Sequence, residues 1–107
     1  MDPHRLAEAR SLAYHRVVAK RLTTDAALLA RARERVTAWL ALVPQAHYAR
    51  AWADVLARPV PEIARILVDE SDRARELRQS TPFAGALDAR ERWRLWRDVA
   101  ERVRGAA

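Results

Sequence analysis

Residues 25–44, DAALLARARERVTAWLALVP, carry the clearest helical pattern in the chain. Their apolar side chains recur at helical spacing, so a helix of 3.6 residues per turn gathers them on one face. Thr24 or Asp25 marks the start of this helix, and Pro44 ends it because proline cannot continue the hydrogen-bond ladder. The side chains predicted to face the core are Leu28, Leu29, Ala32, Val36, Trp39, Leu40 and Val43.

Five prolines and only two glycines divide the rest of the chain into further helices. Asp88 and Glu91 have the spacing of a capping box, which starts the last of them. The connections are short, which favours antiparallel packing of neighbours. We therefore predict an all-α fold, a compact bundle of five to six helices that forms a single helical domain over residues 1–107. Besides the first, the predicted helices cover 3–22, 45–57, 61–68, a short segment ending near 79, and 88–104.

The middle of the chain contains a predicted break and a predicted loop. An unbroken helix over 61–79 would bury the carboxylate of Glu70 among apolar side chains, which is costly, so we predict a break near 69–71. Residues 80–87, STPFAGAL, form the longest predicted non-helical segment. Phe83 is its one aromatic residue, and we expect that ring to anchor the loop in the core.

Composition narrows the classes of function. The chain of 107 residues has 20 Lys plus Arg, 14 Asp plus Glu, a net charge of +6 and no cysteine. Without cysteine, disulfides and thiolate chemistry are excluded and a zinc cluster is not expected. No apolar run approaches the roughly 18–20 residues that span a bilayer, and no signal-peptide segment is recognisable. We expect a cytoplasmic protein with no membrane partner.

No motif for catalysis or metal binding is present. His4 and His15 would lie about 16 Å apart along one helix at 1.5 Å per residue, so they cannot share a metal ion. We expect both, and His47, at the surface. The serines lack the neighbours of a nucleophile elbow, and there is no glycine-rich phosphate loop. We therefore predict no enzymatic activity, no metal and no cofactor.

The last predicted helix carries the most informative charge pattern. On a helical wheel, four arginines and Glu101 form a line that flanks Trp93 and Trp96. Arginine and tryptophan are enriched at the energetic centres of protein interfaces. An arginine line also suits contacts with phosphates. The four arginines are Arg90, Arg94, Arg97 and Arg104.

A second interpretation of this helix stays open. Both tryptophans would lie in the core, and the arginines would form a solvated flank with Arg94 paired to Asp98. Leu95 lies on the far side of the tryptophan stripe, where we expect it to be exposed. The arginine excess would then reflect a GC-rich coding bias rather than a partner.

Residues 61–79 have the outline of a helix-turn-helix, with two short helices around a tight turn. Against DNA binding, the turn contains no glycine, and four acidic residues in or beside it would repel phosphates. The side chains that would contact DNA are Arg73, Arg75, Arg78 and Gln79.

Two stretches resemble a known class of protein. Residues 69–97, which include RELRQSTPFAGALDARERW at 75–93, resemble the C-terminal part of short helical proteins from GC-rich bacteria. Residues 12–22, LAYHRVVAKRL, are similar to their opening segment. Those proteins look like antitoxins of two-gene toxin–antitoxin pairs, whose partner is usually a toxin with a nucleotidyltransferase fold. The resemblance implies binding rather than turnover, with the antitoxin covering the toxin's active site or holding it inactive.

We accordingly predict a non-catalytic antitoxin that neutralises a cognate toxin protein, with weak DNA binding for self-regulation as an open addition. The candidate partner-binding surface is the arginine line of the last helix together with loop 80–87 and its Phe83. The alternative is a small helix-turn-helix-like DNA-binding regulator. The oligomeric state is left open.

Overall fold

The computed structural model describes residues 2–105, which form six α-helices and no strand. The all-α prediction of five to six helices with short connections is confirmed, including a break between the fourth and fifth helices. None of the described helices is long and apolar enough to cross a bilayer. The elements are α1 (Pro3–Arg21), α2 (Ala26–Leu42), α3 (His47–Leu56), α4 (Val60–Leu67), α5 (Asp72–Gln79) and α6 (Ala89–Gly105).

Polar side chains start four of these helices. Asp2, Asp25 and Ser71 accept hydrogen bonds from first-turn amides of α1, α2 and α5, as N-caps do. Asp88 and Glu91 form the predicted capping box at α6. The Glu91 amide donates to Asp88 Oδ1 at 2.8 Å, and the Asp88 amide donates to Glu91 Oε1 at 3.4 Å. Local sequence therefore determines where these helices begin.

Helix α1 lies in the middle of the bundle. It packs against α4, α5 and α6, while α2 packs against α3, which also contacts α4 and α5. The apolar faces of all these helices meet in one core. The largest apolar side chains buried in it are Trp52, Phe83, Ile63, Leu67 and Val18.

Loop 80–87 is held against α1 and α3. The Tyr14 hydroxyl donates to the Phe83 carbonyl at 2.6 Å and accepts from the Ala86 amide at 3.1 Å. The Phe83 ring meets the Trp52 ring edge-on, with centroids 6.1 Å apart. The prediction that Phe83 anchors the loop is confirmed. Its assignment to the partner-binding surface is corrected, because the residue is only 1% exposed.

Several side chains lie in other environments than the sequence pattern indicates. Val43 is exposed because α2 ends at Leu42, so the helical face does not continue to it. Tyr48, which the helical spacing of 45–57 would turn inward, lies in the first turn of α3 and is 46% exposed, with its ring packed edge to face with Trp39. His15 is buried rather than at the surface. Leu95, expected to be exposed, packs against the core.

Candidate binding surfaces

The solvent side of α6 carries most of the side chains assigned to the partner-binding surface. We call it the α6 outer face. The opposite side of the helix packs on α1, with Val99 buried and Leu95 packed against the core. Every member of the outer face is exposed. Its members are Arg90, Trp93, Arg94, Arg97, Glu101 and Arg104.

Trp93 and Trp96 occupy different environments, so the expectation that both tryptophans lie in the core holds only in part. Trp96 is partly buried, and its ring lies 6.1 Å from that of Tyr14. Trp93 is 60% exposed. It lies about 120° around the helix from Val99, at 3.6 residues per turn, and so points away from α1. Placing Trp93 in the core is therefore wrong.

The Arg97 side chain covers part of the exposed Trp93 ring. Its Cζ atom lies 4.5 Å from the ring centroid, which is a cation–π arrangement between positions i and i+4. This contact leaves an aromatic surface and a guanidinium side by side on the α6 outer face. That pair of groups is typical of interface centres.

The arginines of the α6 outer face have no carboxylate partner within residues 2–105. Within the described residues, ion pairs join Arg21 to Glu91 and Arg75 to Asp72. The expected pair between Arg94 and Asp98 is not formed. Glu91 is already engaged by Arg21, and this hydrogen bond lowers the pKa of its carboxyl. The outer face therefore carries a net positive charge, with four arginines and one carboxylate, Glu101.

The side chains assigned to DNA contact do not form one surface. Arg73, Arg75 and Gln79 are exposed on α5. Arg78 is 5% exposed and points inward. Its Nη1 donates to the carbonyls of Leu67 at 3.2 Å and Asp69 at 2.6 Å, closing the turn between α4 and α5. Burial lowers the pKa of Arg78 from its ordinary value. The placement of Arg78 on a DNA-reading face is corrected.

A cleft of about 380 Å³ lies between α1, loop 80–87 and α6. We call it the arginine cleft, because three arginines line it and no carboxylate does. It was not predicted, since its arginines come from three distant parts of the chain. Its lining residues are Ala7, Arg10, Ser11, Tyr14, His15, Arg78, Thr81, Ala84, Gly85, Arg92 and Trp96.

His15 forms part of the wall of the arginine cleft. Burial lowers the pKa of His15 from 6.5 to about 4, and the positive charge of Arg78 acts in the same direction. The imidazole is therefore neutral at neutral pH. Its ring meets Tyr14 edge-on, so the two residues make one aromatic wall.

Comparisons with protein-family models, with curated proteins and with solved structures give no significant match. Within residues 2–105, no three His, Asp or Glu side chains lie close enough together to hold a metal ion. The geometry and charge of the two surfaces are therefore the basis for assigning a function.

Proposed function

We propose that this chain is a non-catalytic antitoxin that neutralises a cognate toxin by direct protein–protein binding through the α6 outer face. One observation carries the proposal. An exposed tryptophan lies under an arginine, amid further arginines that form no ion pair in the described range 2–105.

Desolvation explains why such a face favours a protein partner. A tryptophan that is 60% exposed keeps a large apolar area in water, and covering apolar surface yields about 25 cal/mol per Å². Because Arg97 stacks on that ring, its guanidinium is already oriented before a partner arrives. Pre-orientation lowers the side-chain entropy lost on binding.

The charge of the face favours an acidic partner. Guanidinium groups bind carboxylates through paired, charge-assisted hydrogen bonds, and opposite charges also speed encounter. The toxins implied by the resemblance handle nucleoside triphosphates with carboxylate-bound metal ions. An acidic catalytic cleft of that kind is complementary to the α6 outer face, which supports the choice of partner.

The test co-expresses this chain with the product of the adjacent open reading frame and measures growth and complex formation. We expect relief of growth arrest and co-purification, both lost in the double variant Arg94→Glu/Arg97→Glu. The matched control is Arg31→Glu/Arg58→Glu, which makes the same charge change at exposed sites on α2 and after α3. The control is expected to keep both properties.

Two outcomes would contradict the proposal. A complex that survives charge reversal of α6 as well as the control does would place the interface elsewhere. Steeply salt-dependent binding of duplex DNA by the chain alone, lost on Arg73→Ala/Arg75→Ala, would instead favour the regulator.

A further inference from the structure

The arginine cleft is distinct from the α6 outer face. Arg92 and Trp96 contribute to it from the side of α6 that faces α1 and loop 80–87, whereas the outer face points to solvent. A partner seated on the outer face would leave the cleft open. A role for the cleft therefore goes beyond the proposed function.

Three positive charges converge on the cleft without a carboxylate among its lining residues. Neither Arg10, Arg78 nor Arg92 forms an ion pair within residues 2–105. Glu8 lines an adjoining hollow, together with Arg75 and Arg78, rather than the cleft itself. Like charges gathered in a concave, partly desolvated space repel one another. An anion in the cleft would remove that repulsion.

The guanidinium of Arg78 is already oriented in a position where it can bind such an anion. It is 5% exposed, yet it lines the cleft, and its Nη1 is fixed by the Leu67 and Asp69 carbonyls. Within residues 2–105 its other guanidinium nitrogens make no hydrogen bond. Unlike Arg10 Nε, those nitrogens are not fully buried, so they stay accessible to a ligand. A fixed guanidinium with free donors binds an oxyanion at low entropic cost.

Arg10 and Trp96 give the cleft an aromatic side. The Arg10 Cζ lies over the Trp96 ring, 5.9 Å from its centroid, so the guanidinium and the indole form a stacked pair. Arg10 Nε is buried without an acceptor in the described part of the chain. At the rim, Gly85 has φ +85°, and a Cβ built there would meet nothing within 4 Å. The entrance is therefore open.

We propose that the arginine cleft binds a small phosphorylated aromatic ligand, a nucleotide. Its phosphate lies among the three guanidinium groups, and its base lies against the stacked pair of Arg10 and Trp96. A phosphate monoester fits better than a carboxylate, because it has three acceptor oxygens and a charge of about −1.5 to −2 at neutral pH. The volume of about 380 Å³ lies within the usual range for small-molecule sites. Base–aromatic stacking tolerates different bases, so the inference concerns the class of ligand.

Isothermal titration calorimetry on the full chain tests this directly. The probes are AMP, GMP, CMP and UMP, with inorganic phosphate and the uncharged nucleosides as comparisons. We expect at least one monophosphate to bind at least tenfold more tightly than its nucleoside. Arg10→Gln and Arg92→Gln are each expected to weaken that binding about tenfold or more, the effect of losing one charge-assisted contact.

Matched variants separate a site from a general charge effect. Arg31→Gln removes one exposed positive charge from α2, away from both surfaces, and is expected to leave nucleotide affinity unchanged. Trp96→Leu is expected to weaken nucleotide binding while leaving inorganic phosphate binding unchanged. Arg92 lies at the exposed rim, so its variant keeps the fold, which circular dichroism checks.

Three results would overturn the proposal. The first is no heat with any monophosphate at millimolar concentration. The second is affinity unchanged in both Arg10→Gln and Arg92→Gln. The third is binding of a glutamate-rich peptide but of no phosphate, which would make the cleft a protein-contact site. If inorganic phosphate binds as tightly as the nucleotides, the base makes no contribution, and the proposed contact between base and Trp96 is wrong.

Discussion

His15 Nε2 lies 2.8 Å from the hydroxyl oxygen of Thr81, joining the middle of α1 to the start of loop 80–87. On the other side of the ring, Nδ1 lies 2.7 Å from the Ser11 carbonyl oxygen. A carbonyl can only accept, so Nδ1 carries the proton and Nε2 accepts from the Thr81 hydroxyl. The same Thr81 oxygen accepts from the Phe83 amide at 3.1 Å. Neutral His15 thus completes a chain of hydrogen bonds that orders the loop.

This arrangement predicts a pH-dependent stability. The folded pKa of His15 is about 4, below the ordinary value of 6.5, so between these values the unfolded chain binds the extra proton. The free energy of unfolding should therefore be highest above pH 6.5 and fall as the pH drops, by at most about 1.4 kcal/mol per pH unit and about 3 kcal/mol in all. Urea denaturation at pH 7, 6, 5 and 4 measures it.

The variant His15→Gln should flatten this dependence, whereas His47→Gln, at an exposed position, should retain it. Arg21 lowers the pKa of Glu91, so the stability that this pair provides is lost only as the pH falls below 4.5, the ordinary pKa of glutamate. Glu91 therefore contributes little to the change expected between pH 6.5 and 4.5. Equal slopes in wild type and His15→Gln would show that another group titrates.

Tyr14→Phe tests the second anchor of the loop. The substitution removes one hydroxyl and its two hydrogen bonds, after which the Phe83 carbonyl and the Ala86 amide keep only their bond to each other at 3.1 Å. Each lost hydrogen bond contributes about 0.5–1.5 kcal/mol, and we expect a loss of about 1–2 kcal/mol of unfolding free energy. Tyr48→Phe, at an exposed residue, is the control and should change it by less than about 0.5 kcal/mol. Equal losses in the two variants would contradict the anchoring role.

Two tryptophan variants should separate stability from binding. Trp52→Ala removes a fully buried ring whose Nε1 donates to the Leu77 carbonyl at 3.1 Å, and truncation of such a core residue costs about 3–5 kcal/mol. Trp93→Ala removes an exposed ring and its cation–π contact, which is worth about 1 kcal/mol or less. Urea denaturation of both variants measures the difference. If Trp93→Ala lowers the free energy of unfolding as much as Trp52→Ala does, Trp93 stabilises the fold rather than serving binding.

Local chemistry explains the parts of the fold that were predictable. The capping box at Asp88, the end of α2 near Pro44 and the break before Ser71 each depend on a few neighbouring residues. The buried environment of Phe83 was also predictable, because a lone aromatic side chain in a short loop usually packs into the core. These features need no knowledge of which helix packs against which.

The remaining features depend on tertiary packing. A helical wheel of α6 centred on the tryptophans takes in Trp93 and leaves out Leu95, whereas packing on α1 turns the helix so that Leu95 meets the core. Likewise, Arg10, Arg78 and Arg92 share a cleft only because α1, α5 and α6 meet there. No spacing in the sequence connects residues so far apart.

Arg78→Met tests whether this arginine serves the fold. The substitution keeps an unbranched apolar stem but leaves the Leu67 and Asp69 carbonyls without their donor. Hydrogen bonds from charged groups contribute about 1.5–3 kcal/mol, and we expect a loss of unfolding free energy in that range. Arg75→Met, which breaks only the surface pair with Asp72, should cost less than about 1 kcal/mol. Equal costs in urea denaturation would mean that the turn between α4 and α5 does not depend on Arg78. Because the variant is expected to weaken the fold, loss of DNA binding on changing Arg78 would not identify a DNA contact, so Arg73 and Arg75 are the residues to change in that assay.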